Sequence, residues 1–187
     1  MEEILAYLGR HGIRCTLIAS RFPGSKAEDE GEGYRVVRGG GELYFNLAVP
    51  ALYRRVARAD PPDIVLDDIN KIPFYSPLFA RTTVLGIVTH LMGTAVFQEV
   101  NPLLATPIWA AELAMPWVYR RCHFEVISES TRADLIQRGF AGDRLHVVHC
   151  GMDGGTYRVD PAATKTAEPS LLYVGRIKRY KGIDQAI

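Results

Sequence analysis

The sequence predicts an α/β fold, a Rossmann-like and mostly parallel sheet with helices on both faces. Three observations lead there. Short apolar runs recur along the chain, each bounded by Gly, Pro, Asp or Ser. Longer stretches with helical spacing separate them. The runs are nearly continuous in apolar residues rather than alternating, as in strands covered on both sides.

The elements follow in order. Residues 2–10 place Ile4, Leu5 and Leu8 on one helical face, and Gly9 or Gly12 can end that helix in a left-handed cap. Residues 15–19 (CTLIA) read as a buried strand, and the polar, Gly- and acid-rich residues 21–33 as a loop. Residues 34–37 form a second strand, followed by Gly39-Gly40-Gly41. Residues 43–59 are helical, with Pro50 as a kink or restart. Pro61-Pro62 announce a strand at 63–67, and residues 83–89 (TVLGIVT) and 124–127 add two more. The strands at 64–66, 84–89 and 124–127 are expected to be central, because edge strands need polar faces.

Residues 102–119 are long and apolar but contain Pro107, Glu112 and Pro116 and run into Arg120-Arg121. Such breakers suit a buried or surface-lying helix and not a membrane span. Of those two, the core helix is the expectation, since Leu, Ala and Trp at helical spacing commonly face a sheet. Ser128 or Ser130 can cap a helix reaching Arg138, which Gly139 closes. Residues 145–148 are the sixth strand and 171–174 the seventh.

The organisation predicted is a first domain over 1–158, a polar linker over 159–170 and the first strand and helix start of a second domain over 171–187. The opening helix reads as the crossover of a βαβ unit whose feeding strand is missing, and the second domain stops after its first strand and helix start, so the chain is expected to be truncated at both ends. A length of 187 residues fits one domain plus a remainder. Hydrophobic content of 48% and charged content of 23% exclude a disordered tail or a fibre. A net charge of +1 argues against a nucleic-acid partner, whose phosphates call for a basic excess. Cys15, Cys122 and Cys150 form no C-x-x-C pair, so neither a disulfide framework nor a zinc site is suggested. An acidic opening, Met1-Glu2-Glu3, lacks the charge of a secretory leader, and a cytoplasmic location is expected.

In open parallel sheets ligands bind beyond the carboxyl ends of the strands. His90 directly follows the TVLGIVT strand, where an imidazole can orient a substrate or move a proton, or can merely cap the strand. His149 ends another strand. Asp68 and Asn70, in Asp67-Asp68-Ile69-Asn70-Lys71, lie at the same rim and can orient a polyol, though Asp and Asn are also ordinary turn residues. The three consecutive glycines lack phosphate-loop spacing and read as a turn. Gly175 ends the seventh strand, and Arg176 and Lys181 flank the turn into a helix, a combination that suits a diphosphate. A solvated basic turn is the plainer reading of the same residues.

Three stretches in order carry a family resemblance. Leu172-Tyr173-Val174-Gly175-Arg176 with Lys181-Gly182 resembles the donor-site motif of family-four retaining glycosyltransferases of the GT-B fold. Residues 127–135 (ISESTRADL) resemble that family's serine-capped helix. Val148-His149-Cys150-Gly151-Met152-Asp153 resembles its interdomain motif, usually Asn-Gly-Val-Asp, with Cys150 in place of the Asn. The resemblance implies a nucleotide-sugar donor held mainly by a second domain and an acceptor on the first. The acceptor class stays open among a sugar, a lipid-linked acceptor and a small molecule. Arg176 and Lys181 would neutralise the leaving diphosphate, with no metal and no cofactor. His90 matches the family's active-site histidine, between donor sugar and acceptor. The family's Gly-rich turn and its C-terminal glutamate pair are absent, and the chain by itself is expected not to transfer sugar. A non-catalytic Rossmann-like binding module and a GT-B sugar epimerase are the competing functions. If the acceptor is a lipid, residues 103–119 with Arg120-Arg121 are expected to rest peripherally on the inner face of the membrane.

Overall fold

The structure is a computed structural model and describes residues 1–41, 44–70, 72–158, 160–164, 166–175, 177 and 182–185. Its elements are α1 (Glu2–Arg10), β1 (Cys15–Ser20), β2 (Glu28–Gly31), β3 (Tyr34–Gly39), α2 (Phe45–Ala59), β4 (Ile64–Ile69), β5 (Thr83–Val88), α3 (Val96–Glu99), α4 (Pro102–Val118), β6 (His123–Val126), α5 (Glu129–Gln137) and β7 (Leu145–Val147).

The strands form two hydrogen-bonded sheets. One has the order β1-β3-β2 and the other β4-β5-β6-β7. All pairings are parallel except β2 with β3. The Rossmann-like α/β character is therefore present, divided between two sheets. β5 and β6 are internal, as their apolar runs require, but β4 is an edge of its sheet, contrary to the expectation of a central strand. Ile64 and Asp68 of this strand are exposed.

β2 corrects the reading of 21–33 as loop. Glu28, Asp29 and Glu30 have poor strand propensity, but they pair with Val37, Val36 and Arg35. The backbone ladder to β3 holds them extended, and charge pairs add to it. Arg35 meets Glu28 at 2.7 Å and Arg38 meets Asp29 at 3.4 Å across the pair.

Residues 171–174 do not form the expected seventh strand. They belong to no element and are exposed, Leu171 at 98%. Apolar composition makes a strand only where a neighbouring edge accepts its N–H and C=O groups, and none of the described strands pairs with it. Of the expected helix start after Lys181, a single 3-10 turn at Ile183–Gln185 is described.

Both sheets carry helices on the faces their pleats dictate. α1 places Leu5 against Tyr34 and Val36, joined by Cys15, Leu17 and Ala19. Leu52 of α2 sits against Gly39, on the opposite face by the two-residue alternation. α1 ends as the sequence suggests, at Gly12 with φ 79°, where Gly12 N–H donates to Gly9 and Ile13 N–H to Leu8. The larger core lies over the second sheet, where Ile69, Val84, Val88, Phe124, Val126 and Leu145 pack against Met115 and Tyr119 of the α4 region, Leu135 of α5 and Phe140. Gly86 is required here, because a Cβ would meet the Phe124 ring at 2.3 Å.

α4 corrects a second expectation. Only one stripe, Ala105, Glu112 and Met115, is buried. Leu103, Leu104, Leu113 and Trp117 on the rest of its surface are exposed, so α4 is a surface-lying helix and not a core one. Pro107 and Pro116 lie within it without ending it. None of the described helices is long and apolar enough to cross a membrane.

Candidate active site at the strand rim

The carboxyl ends of β4 to β7 form one rim. Ile69 pairs with Val88, Val88 with Val126, and Val126 with Val147. Asn70, Thr89-His90, Ile127-Ser128 and Val148-His149 therefore emerge side by side. Asp68 and Asn70 are exposed there, beside the strand that delivers His90.

His90 is exposed, with Nδ1 3.4 Å from Thr89 Oγ1. The backbone on both sides of it is tied down. Before it, the Thr89 carbonyl accepts from Thr131 Oγ1 at 3.2 Å. After it, Met92 N–H and Gly93 N–H donate to the two oxygens of Glu112 at 2.9 and 2.7 Å. Thr131 belongs to the first turn of α5, which Ser128 caps by accepting from Thr131 N–H at 3.1 Å. Gly139, at φ 96°, closes α5 with Gly139 N–H donating to Ile136 and Phe140 N–H to Leu135. The capped N-terminus of α5 thus lies against the segment that carries His90. Its dipole favours negative charge at this rim.

His149 has the plainer of its two roles. Its Nδ1 lies 3.2 Å from the Ile127 carbonyl, which fastens the end of β7 to β6. Gly175 lies in the exposed stretch without regular structure. Arg176 and Lys181 lie outside the described residues.

Several buried groups near the rim escape a sequence reading. Asp67, and not Asp68, is the buried carboxylate of β4 at 2% exposure. Its Oδ2 accepts from Tyr119 Oη at 2.7 Å and Ser76 N–H at 3.4 Å, whereas Oδ1 has no partner among the described residues. Burial pushes the Asp67 carboxyl above its usual range, and its hydrogen bonds from Ser76 and Tyr119 only partly oppose this. Burial and the adjacent Asp67 also push the Tyr119 phenol upward. Tyr75, in the left-handed region at φ 55°, donates from Oη to the Ala111 carbonyl at 2.6 Å and so ties the segment after β4 to α4. The signal for Glu112 was a lone carboxylate inside an apolar helix, which calls for partners from elsewhere.

No group of three or more His, Cys, Asp or Glu side chains among the described residues is placed to hold a metal ion. Cys15, Cys122 and Cys150 are free thiols. The rim thus offers an exposed imidazole, carboxylate and amide groups and a helix N-terminus, a set suited to hydroxyl-rich substrates.

The model of glycosyltransferase family 4 matches residues 1–154. The chain belongs to that family. The match covers every described strand and the whole rim, so the α/β region is the family's Rossmann-like domain and the chemistry is glycosyl transfer between a sugar donor and an acceptor. No curated protein and no solved structure matches the chain.

Proposed function

We propose that this family-four glycosyltransferase moves a hexose-type sugar from a nucleotide-sugar donor to an acceptor, retaining configuration and using no metal or cofactor. The observation that carries the reading is the placement of His90. It is an exposed imidazole on a backbone tied at Thr89 and at Met92-Gly93, at the rim where open parallel sheets bind ligands. There it serves the reacting centre between donor sugar and acceptor hydroxyl, and Asp68 and Asn70 orient the acceptor. Gly175, Arg176 and Lys181 belong in this reading to the donor diphosphate site of a second domain that starts near residue 171 and is joined by the 159–170 linker. Two cations there would offset charge on the departing diphosphate.

The test is turnover in protein that carries both domains, read as nucleoside diphosphate released from a panel of UDP-, GDP- and ADP-sugars. His90→Ala should lower kcat by about 10²–10⁴, the range for a positioned acid–base or orienting group, with an unchanged far-UV spectrum. Unaltered turnover would return His90 to a strand cap. Donor hydrolysis or binding with no transfer to any acceptor would favour the epimerase or the binding module.

α4 supports a lipid-linked acceptor and a peripheral position on the inner face of the membrane. It is apolar nearly all round, yet Leu103, Leu104, Leu113 and Trp117 are 84%, 64%, 58% and 70% exposed, and Arg120 and Arg121 follow its end. Apolar side chains beside cations match the interface of an anionic bilayer. Co-sedimentation should rise when phosphatidylglycerol replaces part of the phosphatidylcholine in vesicles, and should fall in Trp117→Ala. Indifference to anionic lipid would remove the membrane from the reading.

A further inference from the structure

We propose that Glu112 is the positioning residue for His90, fixing the turn that follows it while Arg138 holds the carboxylate in place. The inference rests on the reading of His90 as the imidazole at the reacting centre.

The Glu112 side chain is 1% exposed, on a helix whose other buried residues are Ala105 and Met115. Burying a carboxylate is costly, and an apolar side chain at this position would serve the helix and its packing at least as well. Its partners explain it, and none lies on α4. Oε1 accepts from Met92 N–H at 2.9 Å. Oε2 accepts from Gly93 N–H at 2.7 Å and from Arg138 Nη1 at 3.3 Å. An ionised carboxylate has only acceptors to offer, and all three groups are donors.

Arg138 is held in turn by Asp134, whose Oδ2 accepts from Nε at 2.9 Å. Gly93 suits the same arrangement twice over. Its φ is 53°, and a Cβ would come within 2.7 Å of Arg138 Nη2. A side chain there would push the guanidinium away from the carboxylate. The clamp thus joins α4, the end of α5 and the turn two and three residues beyond His90. With Thr131 on the Thr89 carbonyl, the backbone is fixed on both sides of His90, and its imidazole is the exposed group left between the anchors. Displacement of a reacting group by about 1 Å costs on the order of 10²-fold in rate, so such bracing has a direct use at a reacting centre.

Glu112→Gln keeps the shape but turns one acceptor into a donor that faces backbone N–H. In the 187-residue chain, amide exchange and ¹⁵N relaxation report the turn without substrate. Protection of the Met92 and Gly93 amides should fall by roughly tenfold or more in Glu112→Gln. The His90 order parameter should drop from about 0.85 towards 0.6, while β5 and β6 stay unchanged. A His90 order parameter equal to wild type would overturn the proposal. If Glu112→Gln does not fold, Arg138→Lys is the second variant. Its arginine is partly exposed, so it should show the same change in smaller measure, and no change at His90 would again overturn the proposal. In protein carrying both domains, Glu112→Gln should lower kcat roughly 10- to 100-fold with little effect on KM, and should cost nothing further in a His90→Ala background. Losses that multiply in the double variant would show that Glu112 does not act through His90. A silent His90→Ala would instead refute the reading of His90, and the relaxation data would still decide whether Glu112 braces the turn.

Discussion

β1 and β3 of one sheet carry apolar runs like those of the other sheet, but the two sheets differ in what covers them. Over β4-β5-β6-β7 lies a core of eleven buried residues among those described, drawn from four strands and from α4, α5 and their flanks. On one face of β1-β3-β2 the described cluster is smaller, Leu5, Tyr34 and Val36 ringed by half-buried Cys15, Leu17 and Ala19, and on the other face Val37 and the α2 residues Val49 and Tyr53 are buried. The exposed edge strand β2 is held partly by surface ion pairs, which contribute little individually. His90 emerges from the better-packed sheet. The candidate site thus stands where tertiary contacts are dense enough to hold a loop, which a strand rim alone does not ensure.

Truncations in the two cores should have the largest effects. Phe124→Ala should cost about 3–5 kcal/mol in denaturant unfolding, because its ring fills the space over Gly86 and packs edge-on against Phe140 at 5.1 Å between centroids. Leu5→Ala in the smaller core should fall at the low end of its class, about 2 kcal/mol, because fewer neighbours leave less of a cavity. Equal losses would mean that the smaller sheet is packed as firmly as the larger.

A smaller effect sharpens the rim itself. Ser128→Ala removes the oxygen that accepts from Thr131 N–H and should cost about 1 kcal/mol, whereas Ser128→Gly should cost only a few tenths. If the cap also steadies Thr131 on the Thr89 carbonyl, Ser128→Ala should raise amide exchange in the 89–93 turn. Unchanged exchange there would limit Ser128 to α5.

The smallest expected effect concerns pH. The folded carboxyl of Asp67 titrates above its ordinary value of 3.8, chiefly because it is buried. Between that value and the raised folded one, the native state binds more protons than the unfolded state, so this group's contribution falls as pH rises through the window. Asp67→Asn removes the titration and keeps an acceptor for Tyr119 and Ser76. Its Tm relative to wild type should therefore improve as pH rises from about 4 to 7, as thermal melts across that range would show. A constant difference would mean that Asp67 titrates alike in both states.

Much of the local structure was legible because it depends on neighbours in sequence. Ser128 and Gly139 mark the start and stop of α5, Gly12 stops α1, and the TVLGIVT run becomes the internal strand β5. His90 was legible as a rim residue because it directly follows that strand. β2 was not, since Glu28-Asp29-Glu30 gains its strand geometry by backbone pairing with residues 35–37 of β3, which local propensity does not encode. The apolar residues 171–174 mislead in the opposite direction, as a run without a paired edge.

Sequence alone determined the class of fold, the caps, the parallel pairing implied by the apolar runs and the family, because periodicity and short motifs are properties of consecutive residues. Tertiary structure decided which carboxylates are buried, Asp67 and Glu112 rather than Asp68, and which face of α4 is left to solvent. It also decided that His90 stands on a backbone fastened from both sides. Burial and hydrogen bonding join groups far apart in the chain, such as Asp67 with Tyr119 and Gly93 with Glu112 and Arg138, and no local pattern encodes which of them will meet.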